Sequence, residues 1–231
     1  GEWSAGGPVA ARFAAFLPGD AVALFDAAAF ALPLSEACLM DPQQRLLLEA
    51  SACVLSEAGR NNGGGEMTSS SSLPQARGGA PTTTLGREQH GHVLVVVGAA
   101  QGDHGALVRR HRSSPGVYHA NANAVSVASG RLAFQFGLKG PALSVDTACS
   151  SSTVALHMAR RELLAAARAD ESPSSPSSAL VCGVHILAGP TSSAYVWAAG
   201  MLSPEGRCLA FDERASGYVR GEGCVAMVVS S

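Results

Sequence analysis

The stretch "ALSVDTACSSSTVALHMARRELLAAA", residues 142–167, decides how the chain is read. Its first part is β-prone and its last part is helical, and a single thiol, Cys149, stands at the join among Thr147, Ser150, Ser151 and Ser152. The helix expected from Ser150 has Val154, Met158, Leu163 and Leu164 along one side, which predicts a packed amphipathic helix. The first-turn N–H groups of such a helix have no intrahelical partner and carry the positive end of its dipole. A thiol placed there gains thiolate character, and the same donors can meet an oxyanion when sulfur attacks a carbonyl. The small neighbours Ala148, Ser150 and Ser151 leave room for a substrate. Asp146 stands at the end of the strand, where a turn and backbone hydrogen bonding are the expected use of its carboxylate.

Working outward, strands alternate with helices. "MDPQQRLLLEASACVLSEAG" predicts a helix with Asp41 as N-cap, Pro42 at its first position and Gln44 in a box-like cap. Leu47, Ala50, Val54 and Ala58 would share its inner face, and Gly59 would end it. "HVLVVVGAA" is a β-branched run of the kind buried on both faces of a parallel sheet. A helix is expected from Asn123 to Phe136, closed by Gly137. After the strand 143–147 and the helix 150–168 come a strand at 179–186, a short helix in "TSSAYVWAAG" and a last strand in "CVAMVVS". Residues 60–91 and 169–178 have no apolar periodicity and read as flexible polar insertions. The pattern is that of an α/β fold with a mostly parallel sheet flanked by helices.

Composition narrows the function classes. At 231 residues the chain is long enough for a substantial core. With 47% apolar and 15% charged residues it is not a disordered chain. A net charge of −2 without a basic block argues against nucleic acid as a partner. No apolar run approaches the roughly 18 residues that span a bilayer, which makes a soluble protein the default. The cysteines at 38, 53, 149, 182, 208 and 224 show neither C-x-x-C nor Cys/His clustering. Reduced, mostly buried thiols in an intracellular protein are the expectation. The chain opens at Gly1 without Met and without the form of a signal peptide, so it reads as a piece of something longer.

"GPALSVDTACSSSTVALHMA" resembles the active-site segment of β-ketoacyl synthases, the ketosynthase domains of polyketide synthases. Three further segments resemble the same family in the same order: "FDAAAFALPLSEACLMDPQQRLLLE", "ANAVSVASGRLAFQFGLKGPA" and "GMLSPEGRCLAFDERASGYVRGEG". The resemblance implies the thiolase-like layered fold, α-β-α-β-α in the full family, of which this chain would form mainly the N-terminal half. It implies that Cys149 accepts an acyl chain from a thioester. A malonyl-type unit on acyl carrier protein then loses CO₂ and its carbanion attacks the acyl-cysteine. Both chains ride on phosphopantetheine of the carrier protein, so no bound cofactor, metal or nucleotide is expected. Ala148, Ser150, Gly221, Glu222 and Gly223 are expected to line or support the site. The resemblance also implies a homodimer for the full-length family, while the intracellular location expected from the cysteines is cytoplasmic, with a plastid left open.

The chain also departs from the family. Its histidines at 90, 92, 104, 111, 119, 157 and 185 match neither the family's "HGTGT" nor its "GH" segment. His157 is eight residues beyond Cys149, about 12 Å along a helix rising ~1.5 Å per residue, too far for proton transfer. "QHGH" at 89–92 reads as a solvated loop. "GYVRGEG" lacks the Lys-Ser/Thr of a phosphate loop. The family's first strand would lie ahead of Gly1. Two other readings therefore stand beside the synthase: a non-catalytic ketosynthase-like scaffold or partial product, and a thiolase-like transferase that moves acyl groups without condensing them.

Overall fold

The computed structural model describes residues 13–61, 92–111, 117–168 and 175–230. Before the main sheet come β1 (Ala14–Ala15) and the helices α1 (Gly19–Ala23), α2 (Leu34–Ala37) and α3 (Pro42–Asn61). Strand β2 (Val93–Ala99) is followed by α4 (His104–His111), α5 (His119–Asn123) and α6 (Val125–Phe136). Strand β3 (Ala142–Val145) leads through a 3₁₀ turn at Ala148–Ser150 into α7 (Ser151–Ala166). Strand β4 (Ser178–His185), α8 (Pro190–Ala198), β5 (Arg220–Gly221) and β6 (Gly223–Ser230) complete the order. The expected insertions at 60–91 and 169–178 lie mostly outside the described residues. At their margins α3 runs on to Asn61, and Ser178 already belongs to β4.

The main sheet has the order β3-β2-β4-β6, with β3 and β4 parallel to β2 and β6 antiparallel to β4. All seven residues of β2 are buried, as a central strand covered on both faces requires. Side-chain alternation splits the core in two. Val93, Val95 and Val97 join Leu180, Cys182 and Val184 under α3 and α6, whereas Leu94, Val96, Ala179 and Val181 meet α7 on the other face. The result is helix, sheet, helix: one mostly parallel sheet flanked on both sides.

Which helical face packs differs from expectation in two places. In α7 the buried positions are Ser151, Ala155, Ala159 and Leu163, while Val154 and Met158 are half-buried and Leu164 is exposed. Small side chains let the helix axis come close to the sheet, and closeness here outweighs the hydrophobicity of the larger residues. In α3 the buried face is Gln44, Leu47, Leu48, Ser51 and Leu55, with Ala50, Val54 and Ala58 only half-buried. Asp41 does cap this helix, its Oδ1 accepting the Gln43 N–H at 2.8 Å. Gln44 closes no box, because its Nε2 donates instead to the carbonyls of Asn121 and Ala124, each at 3.1 Å. That reach has a consequence. Ala124 is extended where Gln44 binds, so the helix expected over 123–136 is α6 from Val125, and Asn123 ends the separate short helix α5. Gly137 closes α6 in the left-handed conformation at φ 65.

Candidate active site around Cys149

Because β2, β3 and β4 are parallel, their C-terminal ends share one edge of the sheet. Cys149 stands just beyond that edge, exposed, in the 3₁₀ turn between β3 and α7. The hydroxyl residues around it build the turn. Ser151 Oγ accepts the Thr147 N–H at 2.9 Å and donates to the Ala148 carbonyl at 2.7 Å. Ser150 Oγ lies 2.9 Å from both oxygens of Thr147, the carbonyl and Oγ1. Asp146 Oδ1 accepts the Ala148 N–H at 3.0 Å, so its carboxylate is used in the turn. Between these bonds Ala148 is held at φ 55, a left-handed conformation that costs an L-residue about 1–2 kcal/mol.

The floor beneath the turn is made of absent side chains. Gly98 of β2 pairs with Gly183 of β4 and, on its other side, with Val145 of β3. The period-two series Leu94, Val96, Gly98 and Ala179, Val181, Gly183 both face α7, so the two glycines lie under its first turn. A Cβ on Gly98 would sit 2.7 Å from the backbone carbon of Ser151 and 2.7 Å from the Ser152 nitrogen. One on Gly183 would collide with Ser152 Oγ. Sequence reading assigned these glycines no part. The usable signal was a glycine inside an otherwise β-branched strand, which marks close backbone approach.

A second polar cluster occupies the same edge beyond β4. Glu222 Oε2 accepts the Leu17 N–H and Oε1 accepts the Leu187 N–H, both at 2.9 Å, while its own N–H donates to Ala15 at 2.8 Å. Gly221 pairs with Ala15 in the small β1–β5 sheet, and Gly223 opens β6 opposite His185. Arg220 Nη1 donates to Ser192 and Ser193, each at 2.8 Å, and Ser192 Oγ donates to Asp103 at 2.7 Å. Arg220 Nη2 lies 3.1 Å from His185 Nε2. A guanidinium can only donate, so His185 accepts there as a neutral imidazole. Burial, and then the Arg220 charge, push its pKa below the usual histidine value.

The remaining candidates separate from the thiol. His104 Nδ1 is 2.9 Å from Asn123 Oδ1, and the Asn123 amide nitrogen is committed to the carbonyls of Leu39 and His119. His157 is exposed on α7, and "QHGH" lies almost wholly outside the described residues. Among the described residues no group of three or more His, Cys, Asp or Glu could hold a metal ion. The cysteines are less buried than expected: Cys38, Cys149 and Cys208 are exposed, Cys53 and Cys224 half-buried, and only Cys182 is buried. Cys38 and Cys208 stand in connecting segments, where no sheet covers them. Burial pushes the Cys182 thiol up to about 11, against a smaller opposing effect of Ser51, and the Cys224 thiol up to about 12. Neither is placed to be a nucleophile near neutral pH.

Known proteins resemble this chain over most of its length. The model of the β-ketoacyl synthase N-terminal domain matches residues 3–231. The chain is 36% identical over 218 residues to the mycocerosic acid synthase-like polyketide synthase of Mycolicibacterium smegmatis, covering 94% of this chain and 9% of that protein. It is 36% identical over 214 residues to cyclo-acetoacetyl-L-tryptophan synthase of Aspergillus oryzae, covering 92% of this chain and 5% of that one. Among solved structures it matches the ketosynthase from module 6 of the bacillaene synthase of Bacillus subtilis 168. That match has a TM-score of 0.69 and 31% identity, over 94% of this chain and 31% of the other. The chain thus spans a small part of the length of its relatives. It belongs to the β-ketoacyl synthase family, matching that family's N-terminal domain.

Proposed function

We propose that this chain supplies the acyl-accepting part of a polyketide β-ketoacyl synthase, with Cys149 as the nucleophile. The observation that carries the reading is the exposed thiol on a hydroxyl-braced turn between the sheet edge and the N-terminus of the 16-residue helix α7. The Cys149 thiolate attacks the carbonyl of an acyl thioester held on phosphopantetheine of acyl carrier protein. A new C–S bond forms, and the carrier's thiolate leaves. The Cys149 N–H, at the positive end of α7, is the donor proposed toward the developing oxyanion, since the N–H groups of Thr147, Ala148, Ser150 and Ser151 bond within the turn. Ala148 and Ser150 keep the approach open, and Gly221, Glu222 and Gly223 support the edge from beside it.

Condensation asks for more. A malonyl-type unit must lose CO₂, and the resulting carbanion must attack the acyl-Cys149 carbonyl, forming a C–C bond and releasing the Cys149 sulfur. Charge develops on the malonyl unit in that step, and the family meets it with histidines from segments that match none of the seven here. Removing such groups lowers rate by roughly two to four orders of magnitude each. The 231 residues alone are therefore expected to take up an acyl group and to release CO₂ from malonyl-carrier at no more than background. Carrier protein and a second copy of the chain are the partners this reading proposes. Among the described residues no helix is long and apolar enough to cross a membrane.

Intact mass after incubation with an acyl thioester tests the reading. One acyl adduct on the native chain and none on Cys149→Ala supports it. An adduct that survives Cys149→Ala would contradict it, and robust CO₂ release by the chain alone would show that a histidine here is catalytic.

A further inference from the structure

We infer that Ser151 is a positioning residue for the acyl-accepting thiol, a role that rests on the reading of Cys149 as nucleophile. Ser151 is the first residue of α7 and only 5% exposed, so its hydroxyl is not placed to touch substrate. Its two hydrogen bonds enclose Thr147 and Ala148: the Thr147 N–H, in the peptide group before this pair, and the Ala148 carbonyl, in the peptide group after it. One hydroxyl thus spans the two residues directly before the nucleophile, and the second of them, Ala148, is held at φ 55. An alanine does not keep a left-handed conformation without neighbours that over-determine it. Asp146 fixes the N–H of Ala148, and Ser151 fixes its carbonyl together with the preceding N–H.

The clamp has a fixed base. Gly98 brings the strand β2 against the backbone of Ser151 and Ser152, where even a methyl group would collide, so the Ser151 end cannot follow if the turn relaxes. Release of the hydroxyl would let Ala148 rotate toward negative φ and swing the peptide that carries Cys149. Small misplacement of a reacting atom lowers rate strongly, on the order of 100-fold for 1 Å. Ser150 and Thr147 cannot substitute, because their mutual contacts leave the Ala148 carbonyl to Ser151, whose backbone N–H also reaches it while only the hydroxyl ties it to the Thr147 N–H.

The test compares two reactions of Cys149 in the native chain, S151A, A148G, A148G/S151A and C149A. One is transfer from an acyl thioester, which needs an oriented attack, and the other is alkylation by iodoacetamide, which is far less demanding. For S151A we expect acyl transfer to fall about 10- to 100-fold, with alkylation falling much less. A glycine at 148 accepts positive φ without support, so A148G/S151A should recover part of the lost transfer. Equal acyl transfer by S151A and the native chain would overturn the inference, as would equal loss of transfer and alkylation. Should S151A not fold, S151G takes its place under the same two outcomes: slower transfer with alkylation largely kept supports the clamp, and native transfer overturns it. C149A separates the two levels. Acyl transfer persisting in C149A would defeat the nucleophile reading itself, whereas an inactive C149A beside a fully active S151A would defeat only the positioning role.

Discussion

Two helices begin near the same edge of the sheet and are finished in opposite ways. At the start of α3, Asp41 turns its carboxylate onto the Gln43 N–H, and the cap is almost wholly buried. At the start of α7 the N-cap residue Ser150 makes no side-chain bond into the helix. Its hydroxyl and that of Ser151 reach backward, to Thr147 and Ala148. The first arrangement satisfies helix donors and buries them. The second braces the turn and leaves the thiol exposed. The α3 start is closed by its own side chain, as stability asks, whereas the bonds at the α7 start point away from the helix, as the proposed chemistry of Cys149 asks.

That contrast breaks most readily at the floor of α7. Gly98→Val would push branched bulk into the backbone of Ser151 and Ser152, and overpacking of this kind destabilises by about 1–3 kcal/mol or more. Denaturant midpoints should show that loss, together with lost acyl uptake by the protein that remains folded. A Gly98→Val protein with native stability and native uptake would mean that the helix does not rest on the sheet as described.

The α3 end should respond in stability alone. Asp41→Ala is expected to lower stability by about 1 kcal/mol, the ordinary worth of an N-cap, while the rate of acyl uptake by folded protein stays native. Burial raises the Asp41 pKa above the usual carboxylate value, so part of the cap's benefit is offset at neutral pH. A fall in acyl uptake beyond the fraction unfolded would show that the two helix starts are coupled.

The smallest expected effect sharpens the comparison through pH. Glu49, further along α3, is pushed up to about 7 by burial, with Arg45 opposing and Asp26 adding to the shift. The folded state then holds a proton that the unfolded state has lost, so stability is greatest below the ordinary glutamate value near 4.5 and declines as pH rises toward 7. Glu49 is partly open to solvent, and screening reduces the expected change to about 1 kcal/mol or less. Urea midpoints at pH 5 and pH 8 should differ in the native chain and converge in Glu49→Gln. An unchanged pH slope in Glu49→Gln would assign it to another group.

Element types were legible in the sequence because the strongest signals were local. The unbroken apolar run of β2 and the passage from strand to helix around Cys149 needed no distant information, and Gly137 marked its helix end by itself. The packing face of α7 was not legible, because Ala155 and Ala159 are chosen for closeness to the sheet and not for hydrophobicity. The break at Ala124 depends on Gln44, 80 residues away, and the Glu222 carboxylate reaches Leu17 across 205 residues. Such contacts leave no trace in a local pattern. The short helices α1, α2, α4 and α5 were missed because segments of four to eight residues carry too little periodicity to read. Within the site, the thiol and its small neighbours were readable. The hydroxyl clamp was not, because it exists only once Ala148 takes positive φ.

Mass mapping of the acylated chain tests the central claim most directly. The native chain would be loaded from an acyl thioester at limiting reagent near neutral pH, digested and read cysteine by cysteine. The exposed thiols Cys38 and Cys208 serve as internal controls, since both are exposed like Cys149 but neither stands at the N-terminus of a long helix. The account predicts the adduct on Cys149, with Cys38 and Cys208 unmodified. An adduct found first on Cys38 or Cys208 would contradict it, because exposure alone would then explain the chemistry.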